Sequence, residues 1–257
     1  MTKNENPSQS LEKPDLRTDA NTINITIIYD NYPFDGLLKT EWGFSCLVEG
    51  FERKVLFDTP GDGAMLLTNM RKLKIDPKEI DMIFLSHEHQ DHTGGIQDIL
   101  AQNNRAIVYL LKSFSKGIKN LVNDSVAETV EVTSPTYLCS RIATTGELGV
   151  AIKEQSLVLE TEKGLVIITG CAHPGIVNII GKVKRDFGQD IYLVLGGFHL
   201  GITSDTKLKQ IVKQFRKIGV EKVGPCHCSG ERCRKLFLDE YETDFIEVGV
   251  GKIIEIE

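Results

Sequence analysis

The chain has 257 residues, and 41% of them are hydrophobic, which is enough to bury a sizeable core. The formal net charge of -6 gives no electrostatic reason to expect nucleic acid or an anionic membrane as a partner. No run of residues is apolar enough to span a bilayer and no secretory apolar segment opens the sequence, so we expect a cytoplasmic protein, as a monomer or a homo-oligomer. The six cysteines do not suggest a disulfide scaffold and are expected to be free thiols or ligands.

Residues 1–21 are polar and charged and carry two prolines, which predicts a mobile tail. The pattern changes at Ile23, where a β-branched alternation that is typical of a strand runs to Tyr29. The remainder, residues 22–257, alternates strands with helical segments and is expected to form a single domain.

Periodicity predicts the other elements in chain order. In the first half we expect a hairpin at 43–48 and 54–57, a helix at 63–73, a strand at 81–84, a helix at 96–102, a strand at 106–111 and a weak helix at 113–120. Residues 124–150 show no clear period. In the second half we expect a hairpin at 156–161 and 165–169, helices at 176–187, 204–218 and 231–241, strands at 191–195 and 220–223, and closing strands at 245–248 and 252–256. Both halves thus have antiparallel strands followed by strand-helix units, which favours an α/β (α+β) fold.

A dense set of polar side chains follows the predicted strand at 81–84. Three histidines and an aspartate stand close together there and precede a Gly-Gly pair that permits tight turning: His87, His89, Asp91 and His92. Imidazole and carboxylate suit zinc, iron or manganese, and several such groups just past a strand end can point at one ion. Any one of these histidines alone would be read as a surface or core residue, but the four residues together predict a metal site.

This motif resembles the signature His-x-His-x-Asp-His of the metallo-β-lactamase superfamily. The resemblance implies a four-layer αββα sandwich, in which two sheets pack face to face, helices cover the outside and the metal site lies at the strand ends. It also implies that His87 and His89 bind one ion and that Asp91 and His92 bind a second. Asp58, which ends an earlier predicted strand, would lie beneath the site and orient a ligand histidine.

Each of the remaining histidines comes just after a predicted strand, beside glycine, proline or both. By the family pattern, His173 completes the three-histidine set of the first ion and His227 joins the second. His199 falls where many family members place an aspartate that bridges the two ions. A neutral imidazole there removes one negative charge, so one or two divalent ions are expected, with the second bound more weakly than the first.

Three further motifs are similar to one branch of the superfamily. They span residues 169–175, 196–200 and 227–230, and the branch includes the dihydropterin ribofuranosyl-aminobenzene-phosphate synthases. Resemblance to the superfamily covers residues 23–257, whereas resemblance to the branch depends on these three motifs and does not fix the substrate.

The cysteines support a competing interpretation. Four of them could approach one another if the loops after the predicted strands meet: Cys171, Cys226, Cys228 and Cys233. Four sulfurs would hold an iron-sulfur cluster and make the chain a redox or electron-transfer protein. The spacing is neither a zinc knuckle nor a ferredoxin run, and each cysteine taken alone is better read as a small buried hydrophobe.

The resemblance and the ligand motif together favour a metal-dependent hydrolase, or a related transferase, acting on a small molecule, phosphate-bearing ones included. A metal ion lowers the pKa of water and polarises a carbonyl or phosphoryl oxygen. Asp91 would orient or deprotonate the attacking water. His199 or His227 would stabilise the developing oxyanion.

Overall fold

The structure, a computed structural model, describes residues 22–125 and 128–257. The tail predicted at 1–21 lies outside the described residues. Within the described part, no helix combines the length and apolarity needed to cross a bilayer.

The first sheet contains seven strands in the described part of the chain. They are β1 (Ile23–Tyr29), β2 (Ser45–Glu49), β3 (Val55–Phe57), β4 (Met82–Phe84), β5 (Ile107–Leu111), β6 (Thr129–Val132) and β13 (Ile253–Ile256). Their spatial order is β13-β1-β2-β3-β4-β5-β6. Pairing is antiparallel from β13 to β3 and parallel from β3 to β6.

The second sheet repeats this arrangement with six strands among the described residues. They are β7 (Thr136–Cys139), β8 (Ile142–Thr144), β9 (Leu157–Thr161), β10 (Gly164–Thr169), β11 (Ile191–Gly197) and β12 (Val220–Cys226). The order is β12-β11-β10-β9-β8-β7, antiparallel from β7 to β10 and parallel from β10 to β12. The expected likeness of the two halves is therefore confirmed.

Helices occupy the connections between strands. They are α1 (Gly63–Lys72), α2 (Gln90–Thr93), α3 (Ile96–Gln102), α4 (Lys116–Asp124), α5 (Ile176–Phe187), α6 (Asp205–Ile218) and α7 (Glu231–Tyr241), with 3-10 turns at Pro77–Glu79, His227–Ser229 and Glu242–Asp244. Gly188 and Gly219 end α5 and α6 in the left-handed conformation that closes a helix without a Cβ penalty.

Alternate side chains of one strand belong to two different hydrophobic cores. In β10, Val166 and Ile168 belong to the core between the sheets, whereas Leu165 and Ile167 belong to the core beneath α5, α6 and α7. Because successive residues of a strand point to opposite faces, one strand serves both layers. Two mixed sheets with helices outside confirm the predicted αββα sandwich.

Two predictions about elements were wrong. Residues 245–248 are not a strand, because only one bridge joins Phe245 to Val223 and the segment crosses from the second sheet to β13 in the first. The predicted helix at 113–120 instead begins at Lys116, capped by the Ser115 hydroxyl, and runs to Asp124. The segment 124–150, which had no clear period, contains β6, β7 and β8.

Candidate metal centre

All six histidines of the chain lie in one cluster. The loops after β4, β10, β11 and β12 carry them, and neighbouring rings have centroid distances of 4.2 to 5.0 Å. The first sheet contributes the histidines of the 87–92 loop and the second sheet contributes the others. The site therefore spans the two halves of the sandwich at their strand ends.

The donor atoms form three groups, in each of which the atoms lie within 4.8 Å of one another. The imidazole group consists of His87, His89 and His173. The mixed group consists of Asp91, His92, Cys171 and His227. The sulfur group consists of Cys171, His199 and Cys228, so that Cys171 belongs to two groups. The predicted sets are thus brought together, and Cys171 joins the second one.

Asp58 lies directly beneath the histidine loop, as expected. Its carboxylate is fully buried and accepts hydrogen bonds from Ser86 N (2.7 Å), Ser86 Oγ (2.7 Å) and His92 Nδ1 (2.6 Å). With the Ser86 hydroxyl donating to Asp58, its oxygen accepts from His87 Nδ1 at 2.9 Å. Both imidazoles are therefore oriented with Nε2 directed into the site.

Glu154 plays the same part for the second sheet and was missed from the sequence. This buried carboxylate accepts from the backbone N–H groups of Cys171 (3.0 Å), Ala172 (2.7 Å) and His173 (2.9 Å), and from His173 Nδ1 at 2.9 Å. Burial raises the pKa of Glu154, but the hydrogen bonds from His173 outweigh it and bring that pKa to about 2. No motif marks Glu154, because its role depends on a contact 19 residues away.

Two further residues of the site were also not predicted from the sequence. Asn31, in the loop after β1, donates to the carbonyl of His227 (3.3 Å) and accepts from His227 Nδ1 through Oδ1 (3.2 Å). Trp42, the single tryptophan of the chain, lies with its ring centroid 4.7 Å from that of His227. Both lie in the long loop at 30–44, whose irregular sequence has no period to interpret.

Electrostatics favours neutral His87 and His92 and an ionised Asp91. Burial lowers the pKa of His87 to about 2 and that of His92 to about 3. Burial raises the pKa of Asp91, but the nearby His227 and His92 imidazoles outweigh it and hold the pKa below its usual range. Burial lowers the pKa of His227, and its contact with Asp91, with Nε2 and Oδ2 3.4 Å apart, reverses that to a net rise.

Asp58 differs from Asp91 and Glu154, because its pKa is raised and not lowered. Burial raises its pKa well above the usual range, against the lowering effect of the hydrogen bonds from Ser86. A cation held near His92 would favour the ionised carboxylate, because an opposite charge nearby stabilises the charged form. The charge of Asp58 and the occupancy of the mixed group are therefore linked.

Within the described part of the chain, two buried imidazole nitrogens without hydrogen-bond partners indicate that a metal ion fits this set of donor atoms. The Nε2 atoms of His87 and His227 are buried without a hydrogen-bond partner among the described residues. A buried polar atom without a partner costs free energy, so each needs an acceptor of its lone pair. Neutral imidazole nitrogen is a common ligand of divalent metals.

The four-cysteine set predicted from the sequence is not assembled. Cys226 belongs to the core between the sheets and Cys233 to the core beneath α7, and neither joins a donor group of the described residues. Burial raises the pKa of Cys233 to about 12 and that of Cys226 well above its usual range. The iron-sulfur alternative therefore loses two of its four ligands.

Cys171 and Cys228 behave differently from the buried pair. Contact with Cys171 holds the pKa of the Cys228 thiol well below its usual range, and His199 adds to this effect. Contact with Cys228 correspondingly raises the pKa of Cys171 and that of His199. Cys228 is thus the first of the two thiols to ionise.

Backbone conformation is unusual after four of the strands that lead into the site, β3, β10, β11 and β12. Four non-glycine residues have positive φ there: Asp58 (55°), Ala172 (59°), His199 (53°) and His227 (49°). This region is sparsely populated for residues with a Cβ, and such strain collects at functional sites where the surroundings enforce it.

Two sheets with helices outside, and imidazole and carboxylate donors at the strand ends, define a protein of the metallo-β-lactamase class. The profile of the metallo-β-lactamase superfamily matches residues 43–208, more than half of the chain. The chain belongs to the metallo-β-lactamase superfamily.

Comparison with known proteins refines this assignment. The chain is 31% identical to the 7,8-dihydropterin-6-methyl-4-(β-D-ribofuranosyl)-aminobenzene-5'-phosphate synthase of Methanocaldococcus jannaschii, over 90% of this chain and 95% of that one. It is also 31% identical to a solved metal-dependent hydrolase of the β-lactamase superfamily, with a TM-score of 0.78, covering 91% of this chain and 99% of that one. A diphosphatase of the PhnP family shares the fold at 15% identity, with a TM-score of 0.63 over 91% of this chain and 97% of that one. The branch suggested by the three motifs is confirmed.

Proposed function

We propose that the chain is a metal-dependent enzyme that holds one divalent ion in the imidazole group and a second in the mixed group, and that it acts on a small phosphate-bearing molecule. The reaction is hydrolysis or a related group transfer. Ions in these positions would polarise a substrate oxygen and lower the pKa of water. Zinc, manganese and iron all suit imidazole and carboxylate donors.

The orientation of the histidines carries this proposal. Nδ1 of each of four histidines is engaged by an acceptor of the protein: His87 by Ser86, His92 by Asp58, His173 by Glu154 and His227 by Asn31. A neutral imidazole that donates from Nδ1 presents an unprotonated Nε2. Two such nitrogens in the imidazole group and two in the mixed group form a ligand set that is oriented before any ion arrives.

Asp91 and His199 are the polar groups of the site that an attacking water or a substrate could contact. Asp91 is ionised and only partly exposed, so it can orient a water molecule through its free carboxylate lone pairs. Because His227 is a ligand of the mixed group in this proposal, an oxyanion that develops on the substrate would be stabilised by the bound ion and not by this histidine. His199 is exposed at the rim, where it can contact substrate.

The relative in Methanocaldococcus jannaschii supports a second candidate. Its name describes a synthase whose product joins a dihydropterin to a ribofuranosyl-aminobenzene phosphate. The similarity extends over nearly the full length of both chains, and the product in that name carries a phosphate. Group transfer is therefore the alternative to simple hydrolysis at the same site.

Metal content and product analysis test the proposal. We expect wild-type protein to retain divalent ions measurable by mass spectrometry and His87→Gln to lose the ion of the imidazole group. The metal-loaded protein should then be assayed in parallel with bis(4-nitrophenyl) phosphate and with a dihydropterin plus ribofuranosyl-aminobenzene 5'-phosphate. Equal metal content in both proteins, with neither substrate set turned over, would contradict it.

A further inference from the structure

We infer that Cys171, Cys228 and His199 form a sulfur-bearing metal site of their own, for a thiophilic cation such as Zn²⁺, next to the two histidine-bearing positions. This site depends on residues outside the family signature. It does not rest on the proposed function, because it would bind a cation whether or not the chain is a hydrolase.

The three donors come from three successive loops of the second sheet. Cys171 follows β10, His199 follows β11 and Cys228 lies in the 3-10 turn after β12. Their donor atoms lie within 4.8 Å of one another. Three neighbouring parallel strands are thus each followed by one of the ligands, so the sheet itself brings the three donors together.

The backbone makes room for this arrangement. A Cβ at Gly197 would lie 2.7 Å from Cys228 Sγ and would also collide with the carbonyl of Gly170, so a side chain at this position is incompatible with the sulfur. His199 takes the left-handed conformation that brings its ring beside that of His173, with centroids 4.5 Å apart. Cys171 is buried, Cys228 is half-buried and His199 is exposed, so a cation could enter from solvent past His199.

The donor chemistry selects the cation. Two thiolates and one imidazole are the Cys2His set that zinc sites with an open fourth position use, and soft sulfur disfavours Mg²⁺ and Ca²⁺. Cys171 Sγ also lies 3.3 Å from His92 Nε2 in the mixed group. A shared sulfur would link this position to the mixed group, in a chain whose His199 stands where many family members place a bridging aspartate.

Cadmium is a suitable probe, because Cd²⁺ binds such sites as Zn²⁺ does and thiolate-to-cadmium charge transfer absorbs in the near ultraviolet. The reduced full-length protein, freed of metal with a chelator, is titrated with CdCl₂ alone. Wild type, Cys228→Ser and the control Cys139→Ser are compared. Cys139 is half-buried and outside the three donor groups of the described residues, so its loss should leave the titration unchanged.

We expect Cys228→Ser to bind one Cd²⁺ fewer than wild type and to lose about half of the charge-transfer intensity, with Cys139→Ser matching wild type. The cadmium-113 resonance of wild type should include a signal in the region of sulfur ligation, and this measurement needs no variant. Full stoichiometry and intensity in a folded Cys228→Ser, or no sulfur-ligated signal in wild type, would overturn the inference. His87→Gln removes a ligand of the imidazole group and none of the sulfur group, so a failure of the proposed function can be told apart from a failure of this inference.

Discussion

Asp58 and Glu154 hold histidines of the two donor groups in the same way, one from each sheet. Each is a buried carboxylate that accepts an N–H from a ligand histidine and further hydrogen bonds from the loop backbone or hydroxyl. Asp58 holds His92 of the mixed group directly and His87 of the imidazole group through Ser86, whereas Glu154 holds His173 of the imidazole group. Loss of Glu154 should therefore affect one donor group and loss of Asp58 both.

We predict that Glu154→Gln weakens metal binding in the imidazole group by about 10–100-fold and leaves the mixed group nearly unchanged, because an outer carboxylate fixes the orientation and basicity of its histidine. Asp58→Asn should weaken binding in both groups, because Asp58 holds His92 directly and His87 through the Ser86 hydroxyl. Calorimetric titration with Zn²⁺ measures both, and each variant is the control for the other. The same loss at both positions in Glu154→Gln would contradict the prediction.

Metal-free protein should lose stability as the pH falls below 6.5. The pKa of His87 falls from 6.5 to about 2 on folding and that of His92 to about 3, so in this window the unfolded chain binds more protons than the native state. The stability is complete above pH 6.5 and is lost as the pH falls toward the folded pKa values. Each histidine contributes a slope of about 1.4 kcal/mol per pH unit.

Urea unfolding of chelator-treated protein at several pH values measures this dependence. In His87→Asn one titrating group is removed, so the slope between pH 6.5 and 5 should be smaller than in wild type. The same slope in both proteins would show that His87 does not carry the effect.

Elements with a strong period were predictable, and those at sheet edges were not. The spans of β1, α3, α5 and α7 agree with the predictions residue for residue, because amphipathic or β-branched runs between clear breakers leave few alternatives. Strands β6 and β7 close the edges of their sheets and are only partly buried, so neither shows a clean alternation. The turn at Arg141 uses a left-handed non-glycine residue and lacks the usual turn signal.

The site was predictable to the extent that its ligands stand at strand ends. The histidine motif and the position of His173 after an apolar strand are local patterns. Glu154 and Asn31 come from elsewhere in the chain and meet the histidines only through the packing of the two halves. Cys226 is the last residue of β12 and points into the core, whereas Cys228 lies in the 3-10 turn that follows, so the contrast between them depends on where the strand ends, which the Cys-x-Cys spacing alone does not settle.

At the level of strands, Gly197 should be intolerant of a side chain. Gly197→Ala places a Cβ against the Gly170 carbonyl and 2.7 Å from Cys228 Sγ, so β10, β11 and the following turn would have to move apart. We expect a loss of about 1–3 kcal/mol in the free energy of unfolding, the usual cost of overpacking. Gly36→Ala, where no atom lies within 4 Å of the added carbon, is the matched control and should be nearly neutral. Equal unfolding midpoints in guanidinium chloride would contradict the prediction.

Seen as a whole, the molecule joins its two sheets at the site as well as through the core. Gln155 donates from Nε2 to the Leu85 carbonyl at 2.8 Å and from its backbone N–H to the Ser86 carbonyl at 2.9 Å, so the second sheet supports the loop that carries the histidines. The proposed imidazole group takes two ligands from the first half and His173 from the second. An ion there would cross-link the halves.

We therefore predict that Zn²⁺ stabilises the metal-free protein in a concentration-dependent manner. Free ion at 1,000 times its Kd should add about 4 kcal/mol, because the native state binds it and the unfolded chain does so only weakly. Thermal unfolding at a series of Zn²⁺ concentrations measures the gain. His173→Asn, which removes the ligand from the second sheet, should reduce it, and an unchanged gain in that variant would exclude His173 as a cross-link.

Trp42 is placed so that its fluorescence can report on the metal centre. It is the only tryptophan, it is 54% exposed, and its ring lies beside His227, which belongs to the mixed group. Indole emission responds to the charge and motion of a neighbouring imidazole, so loading the mixed group should change its intensity. Trp42→Phe should abolish the signal, and Asp91→Asn should weaken its dependence on metal concentration. Stopped-flow fluorescence of unlabelled protein would then measure the rate at which an ion or a substrate binds at the centre. Each chain carries a single tryptophan, so no added dye is needed.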